Sequence, residues 1–259
     1  MMATTRAPDG VEIAYEVTGE GAPLVLVHGI TECRRLWDPL VPALAADHTV
    51  VALDVRGHGE SAPADAYDAS AMAGDVAAVV AAAGLEPPLV IGHSMGGLVA
   101  TAFAGTHGCA GVVNVDQSIA LRDFQELVQG AEPLLRSDAF TDVITALFDS
   151  MLGPLPPAEA ARIAALRRPE RDVVLGVWAP LLELAPPALD ELVATMAAAV
   201  TVPYLALHGT EPGAGYGAWL ASAIPTSALE VWDHHGHYPH LVDPDRFVDR
   251  VRRFESTWR

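Results

Sequence analysis

Residues 11–17 (VEIAYEV) alternate apolar and polar side chains and are rich in β-branched types, the period-two signature of a strand. After the turn residues Thr18, Gly19, Glu20 and Gly21, residues 23–27 (PLVLV) form an unbroken apolar run. Such a run suits a strand buried on both faces of a parallel sheet. The same rhythm recurs downstream. Helical spacing over 36–46 precedes a strand at 49–53 (TVVAL), and a helix at 70–83, opened by Ser70 and stopped by Gly84, precedes a strand at 89–91. A helix at 95–106 then leads to a strand at 111–115 (GVVNV). Strand and helix alternate, which predicts βαβ units and a mostly parallel central sheet flanked by helices, an α/β architecture.

The alternation stops after Asp116. From 118 to 199 the periodicity is helical throughout, with proline-rich joints at 153–157 and at Pro186 and Pro187. Strand patterns return at 202–207 (VPYLAL) and 228–232, and an amphipathic helix at 247–254 closes the chain. The expected organisation is one core built from 1–117 and 200–259, with 118–199 inserted between two strands of its sheet as a helical lid.

Composition narrows the function classes. Of 259 residues, 51% are hydrophobic and 19% charged, which is ordinary globular usage and argues against disorder. The net charge of −18 repels phosphate backbones, so no nucleic-acid partner is expected; the charge reads as a solubility device. Two cysteines, Cys33 and Cys109, are too few for a disulfide framework or a cysteine zinc site. The first ten residues hold no apolar signal core, and the alanine-rich stretches are too short to span a bilayer. No membrane partner and a cytoplasmic location are expected, with a small molecule as the substrate.

The chemistry concentrates at three places. Gly92-His93-Ser94-Met95-Gly96 fits G-x-S-x-G between a predicted strand and a predicted helix. A strand that turns sharply into a helix there strains the serine and exposes its Oγ, and the flanking glycines remove Cβ atoms that would clash. Ser94 is therefore the expected nucleophile, and the Met95 N–H at the helix start is one oxyanion donor. The loop after 23–27, His28-Gly29-Ile30, supplies the Ile30 N–H as the other; His28 as a base is the weaker alternative. The base is expected in Asp233-His234-His235-Gly236-His237-Tyr238-Pro239-His240, after the last strand. His237 follows the flexible Gly236 and is the choice; His240 is expected to pack, and His234 and His235 to be solvated. No acidic or cysteine set with ligand spacing accompanies the cluster, so no metal is expected.

PLVLVHG, the loop Asp54-Val55-Arg56-Gly57-His58-Gly59, GHSMGG and GHYPHLVDPDRF together resemble the α/β-hydrolase fold superfamily, in its serine hydrolase branch with a helical lid. The resemblance covers the chain outside 118–199. It implies a third triad member, most often an Asp three residues beyond the glycine after the strand here read as VPYLAL. That position is Pro212, which cannot serve, and Glu211 is one residue early. A subset of the superfamily takes the acid from the end of the preceding strand, here Asp116. Asp116 is the first choice and Glu211 the alternative. Asp54 and Arg56 are read as scaffold.

Pocket walls are expected from Phe124, Phe140, Phe148, Met151 and Leu181, with Trp178 and Trp37 as the aromatics of most interest. No basic cluster marks 118–199, so a neutral, fairly apolar ester, thioester or lactone is expected, cleaved through an acyl-enzyme without a cofactor. Relatives with an acid at the Asp116 position include enzymes that open large lactones. Alternatives on the same residues are a carbon–carbon bond hydrolase, a cofactor-free perhydrolase, or a slow-turnover ligand receptor. Dehalogenases and epoxide hydrolases of this superfamily carry Asp where Ser94 stands.

Overall fold

The computed structural model describes residues 2–85 and 87–257. Its strands are β1 (Met2–Arg6), β2 (Glu12–Thr18), β3 (Ala22–Val27), β4 (His48–Leu53), β5 (Leu89–His93), β6 (Gly111–Val115), β7 (Tyr204–His208) and β8 (Ser227–Val231). They form one sheet in the order β1-β2-β4-β3-β5-β6-β7-β8. β1 and β2 are antiparallel, β2 and β4 are antiparallel, and every pairing from β4 to β8 is parallel.

The apolar runs behave as their pattern demands. Val25 and Val27 belong to one core cluster, packed with residues from the helices after β4 and β5, while Leu24 and Leu26 belong to a second. Successive side chains of a strand point to opposite faces, so both faces of β3 are covered and no polar position is tolerated. β3 lies between β4 and β5, where the strand order reverses. Crevices of open α/β sheets form at the carboxyl ends of the strands flanking such a reversal.

The first helical elements are a 3₁₀ turn (Arg34–Trp37) and α1 (Val41–Leu44), where the sequence pattern had suggested one helix over 36–46. Pro39 stands between the two elements, where proline removes a backbone donor and crowds the preceding turn, while Pro42 lies in the first turn of α1, where proline is tolerated. α2 (Ala69–Ala83) is capped by Asp68, whose carboxylate accepts from the Ser70 and Ala71 N–H groups, and not by Ser70 itself. Gly84 ends it at φ +68°. α3 (Met95–Thr106) follows β5 directly.

Between β6 and β7 the described chain is helical: α4 (Arg122–Leu135), α5 (Phe140–Ser150), α6 (Pro157–Leu166), α7 (Arg171–Val177), α8 (Ala179–Glu183) and α9 (Pro186–Ala198). α10 (Tyr216–Ala223) joins β7 to β8, and α11 (Pro239–Val242) and α12 (Pro244–Glu255) complete the chain. β1 has no clear sequence signal. It is short, largely exposed and held by its ladder to β2. No helix among the described residues is long and apolar enough to cross a membrane.

Candidate active site

Ser94 is the N-cap of α3 and has φ +51°, ψ −126°. That backbone region is costly for a residue with a side chain, of order 1–3 kcal/mol, and persists only where the surroundings impose it. They do. The Ser94 N–H donates to the Val115 carbonyl at 2.9 Å, and the Ser94 carbonyl accepts from the Gly97 N–H at 2.7 Å. A Cβ on Gly92 would run into the Gly96 carbonyl, and one on Gly96 into the carbonyls of Val27 and His28. Both glycines of G-x-S-x-G are thus spaces that the turn consumes.

Asp116 follows β6 with φ +54°, again a left-handed conformation, fixed by its N–H donating to the Leu207 carbonyl at 2.8 Å. Its Oδ2 faces His237 Nδ1 at 2.7 Å, and its Oδ1 accepts the Gly209 N–H at 2.8 Å. His208 Nδ1 lies 3.8 Å from Oδ1. Burial alone would raise the Asp116 carboxyl; the bond and charge of His237, with the Gly209 N–H, hold it below the usual carboxylate range. Gly209 is as constrained as Gly92 and Gly96, since a Cβ there would strike the Gly236 carbonyl. The loops after β7 and β8 therefore meet backbone to backbone, and this brings His237 over the end of β6.

Glu211 is placed elsewhere. It is exposed in the loop after β7, and the His237 nitrogen it would have to reach is already engaged by Asp116. The other histidines sort as their surroundings dictate. His28 is buried, with Nδ1 donating to the Gly29 carbonyl at 2.7 Å and Nε2 accepting the Val55 N–H at 3.2 Å, so its ring ties two loops together. His240 is buried against the rings of Trp37, His93 and Phe247, and burial pushes its pKa well down. His234 is exposed. Asp54 and Arg56 are buried in ion pairs, Asp54 with Arg34 and Arg56 with Asp75 at 2.7 Å and Asp9 at 2.7 Å.

A cavity of about 640 Å³ opens onto Ser94, His237 and Asp116 and is also lined by Ile30 and Met95. Its remaining wall is mostly apolar: Phe124, Phe148, Met151, Trp178 and Leu181 from the helical segment, and Leu98 and Ala102 from α3. Trp178 packs edge-on against Phe124 at 5.7 Å. Two expectations fail. Trp37 does not line the cavity; it is wholly buried in the second core cluster, with the His240 ring 5.0 Å away. The 3₁₀ turn that replaces a longer helix carries it into that core. Phe140 lies in a separate, more polar surface hollow with Pro169 and Arg171.

The model of the α/β-hydrolase fold family matches residues 22–244. The chain belongs to that family. The esterase RhEst1 from Rhodococcus sp. ECU1013 is 30% identical, with 100% of this chain and 99% of that one covered at a TM-score of 0.75. The pimeloyl-acyl-carrier-protein methyl ester esterase of Vibrio atlanticus is 27% identical over 258 residues, 93% of this chain and 96% of that protein. A soluble epoxide hydrolase of Corynebacterium sp. is 42% identical over 97 residues, 37% of this chain.

In this family member a polar group absent from the sequence reading lies directly beneath the site. Glu32 is 4% exposed, and its Oε2 accepts the Gly29 N–H at 3.0 Å while its Oε1 accepts the Tyr238 O–H at 2.8 Å. Burial would raise its carboxyl, but the charge and bond of His93, the Tyr238 hydroxyl and the charge of His237 bring it down to about 2. Glu32 thus has a folded pKa below the unfolded value of about 4.3. It stabilises the fold above that unfolded value and loses the contribution as pH falls toward 2. Urea unfolding of wild type and Glu32→Gln should therefore show the largest gap in stability at neutral pH, narrowing on acidification. A gap that widens on acidification would contradict this electrostatic environment.

Proposed function

We propose that this protein is a serine esterase, with lactones as the cyclic form of the same substrate class, and that Ser94, His237 and Asp116 form its triad. The reading is carried by the 2.7 Å contact between His237 Nδ1 and Asp116 Oδ2, in a cavity shared with the strained Ser94. Nδ1–H of neutral His237 donates to the Asp116 carboxylate, which leaves Nε2 as the basic nitrogen. Nε2 takes the Ser94 proton as Oγ attacks the substrate carbonyl. The resulting oxyanion is held by the N–H groups of Ile30 and Met95, the latter at the N-terminus of α3 where the helix dipole adds to the field. His237 returns the proton to the departing alcohol, then activates a water that attacks the acyl-enzyme. The released acid carries the acyl group, and the enzyme regains its starting protonation. No metal or organic cofactor enters any step.

The cavity supports a neutral, apolar substrate. Its volume falls within the range of roughly 300–1,000 Å³ common for small-molecule sites, and no lining side chain is cationic. The helical segment 118–199, proposed here as a lid, supplies Phe148 and Trp178 to its wall. RhEst1 and the Vibrio atlanticus protein are esterases, which agrees with this assignment. A matched series of p-nitrophenyl esters tests it. Neutral aliphatic acyl groups should be cleaved, and an ester bearing a free carboxylate on the acyl chain should be cleaved at least tenfold more slowly, about 1.4 kcal/mol of differential transition-state binding. Trp178→Ala should raise KM for the neutral ester, since it removes a buried wall. Preference for the carboxylate ester would exclude the apolar-substrate reading.

A further inference from the structure

Glu32 makes contacts beyond those that any step above requires. It lies three residues after Gly29, in the loop that carries the proposed oxyanion donor Ile30. Its two carboxylate oxygens reach the three segments that must converge for catalysis. Oε2 receives the Gly29 N–H at 3.0 Å and faces His93 Nδ1 at 3.3 Å, next to Ser94. Oε1 receives the Tyr238 O–H at 2.8 Å, next to His237. The far nitrogen of His93, Nε2, donates to the carbonyl of His237 itself at 2.9 Å. Both ring nitrogens of His93 therefore face oxygen atoms, Glu32 Oε2 on one side and the His237 carbonyl on the other.

The same cluster extends into the helical segment. Arg167 Nη2 donates to the Tyr238 hydroxyl at 3.1 Å and to the carbonyl of Phe148, a cavity wall residue, at 3.0 Å. Its Nη1 donates to Asp149 at 2.9 Å. The space around the cluster is full. A Cβ on Gly29 would come within 2.8 Å of Glu32 Oε2 and 3.2 Å of the Ser94 Cβ. Glu32, His93 and Tyr238 are each at least nine-tenths buried.

We propose that Glu32 is a positioning residue: one buried carboxylate sets the spacing of the oxyanion loop, the Ser94 turn and the His237 loop, and ties all three through Tyr238 and Arg167 to the segment that walls the cavity. The proposal rests on the serine-esterase reading and adds a part to it. In this buried charge network Arg167 Nε lacks a partner among the described residues, but the carboxylate, the hydroxyl and the His93 ring are all engaged, and few other arrangements would engage them, so it can hold such a geometry to a fraction of an ångström. A second consequence is electrostatic. The groups facing His237 are Asp116 from the end of β6, His208 from β7 through Asp116, His93 from β5, Tyr238 and His240 from its own loop and α11, and Glu32 from the loop after β3. Of these, Glu32 and Asp116 are the anions, and both favour the His237 imidazolium that forms as Ser94 attacks.

Glu32→Gln keeps the shape and removes the charge. On a neutral p-nitrophenyl ester, kcat should fall roughly tenfold to a hundredfold with KM unchanged, as expected for slight misplacement of reacting groups. Glu32→Asp keeps the charge but shortens the reach, so its kcat should also be low with KM unchanged. If Glu32→Gln does not fold, Glu32→Asp and Tyr238→Phe decide, the latter deleting the shared hydroxyl; each should lower kcat without moving KM. Wild-type kcat in Glu32→Gln, or in both substitutes, overturns the positioning role. Failure of the wild-type enzyme to turn over any ester or to react with a fluorophosphonate instead overturns the esterase reading on which it depends.

Discussion

Ser94→Ala should lose ester hydrolysis by roughly 10⁶ in kcat, and a fluorophosphonate that labels the wild-type protein should leave this variant unlabelled. The loss is expected to be this large because members of a catalytic group act as a unit, leaving only binding and oxyanion stabilisation behind. The control is built into the backbone. Ser94 sits at φ +51°, where alanine is as strained as serine, so Ser94→Ala should unfold at a temperature close to that of wild type. Ser94→Gly should be equally inactive yet more stable by about 1 kcal/mol, because glycine adopts that conformation without strain. The pair separates chemistry from folding: activity lost in both, with stability raised in one. Substantial turnover in Ser94→Ala, or labelling at another residue, would remove Ser94 from the role of nucleophile.

Asp116→Asn should cost about 10⁴ in kcat, by the logic that applies to the acid of any serine–histidine–acid triad. The structure shows why the substitution is diagnostic. Asparagine tolerates the left-handed conformation at φ +54°, and its amide oxygen can still accept the Gly209 N–H. Its NH₂ group would then face His237 Nδ1, and two donors would oppose each other. The imidazole relieves that clash by moving its proton to Nε2, the nitrogen that must be free to deprotonate Ser94. Glu211→Gln, at an exposed position with no contact to His237, should keep wild-type kcat. The reverse outcome, activity lost with Glu211→Gln and kept with Asp116→Asn, would transfer the acid to the loop after β7.

Much of this site is legible along the chain because the relevant constraints are local. The G-x-S-x-G turn is one such case, since its glycines answer to carbonyls only a few residues away or in the adjoining strand. The choice of His237 from its cluster rests on Gly236, whose φ of +63° and contact with Gly209 give the loop its path. Asp116 and Glu211 could not be separated by local rules, because both stand at strand ends on the proper edge of the sheet. Trp37 illustrates the opposite error. A large aromatic in this part of the chain suggests a pocket wall, but Trp37 ends a 3₁₀ turn just before Pro39 and its ring lies in the second core cluster.

The sequence by itself determined the layered α/β architecture, the succession of strands and helices along the chain, the glycine-flanked turn at Ser94 and the histidine-bearing loop after the last strand, because period, glycine placement and chain direction are properties of short segments. Tertiary structure alone decided that His237 Nδ1 meets Asp116 and not Glu211, that Trp178 and Phe148 face the cavity while Trp37 does not, and that Glu32 joins the loops beneath Ser94. These are distances between residues far apart in the chain. Side-chain type and spacing say what a residue can bond to; only the packed fold says which partner is within 3 Å.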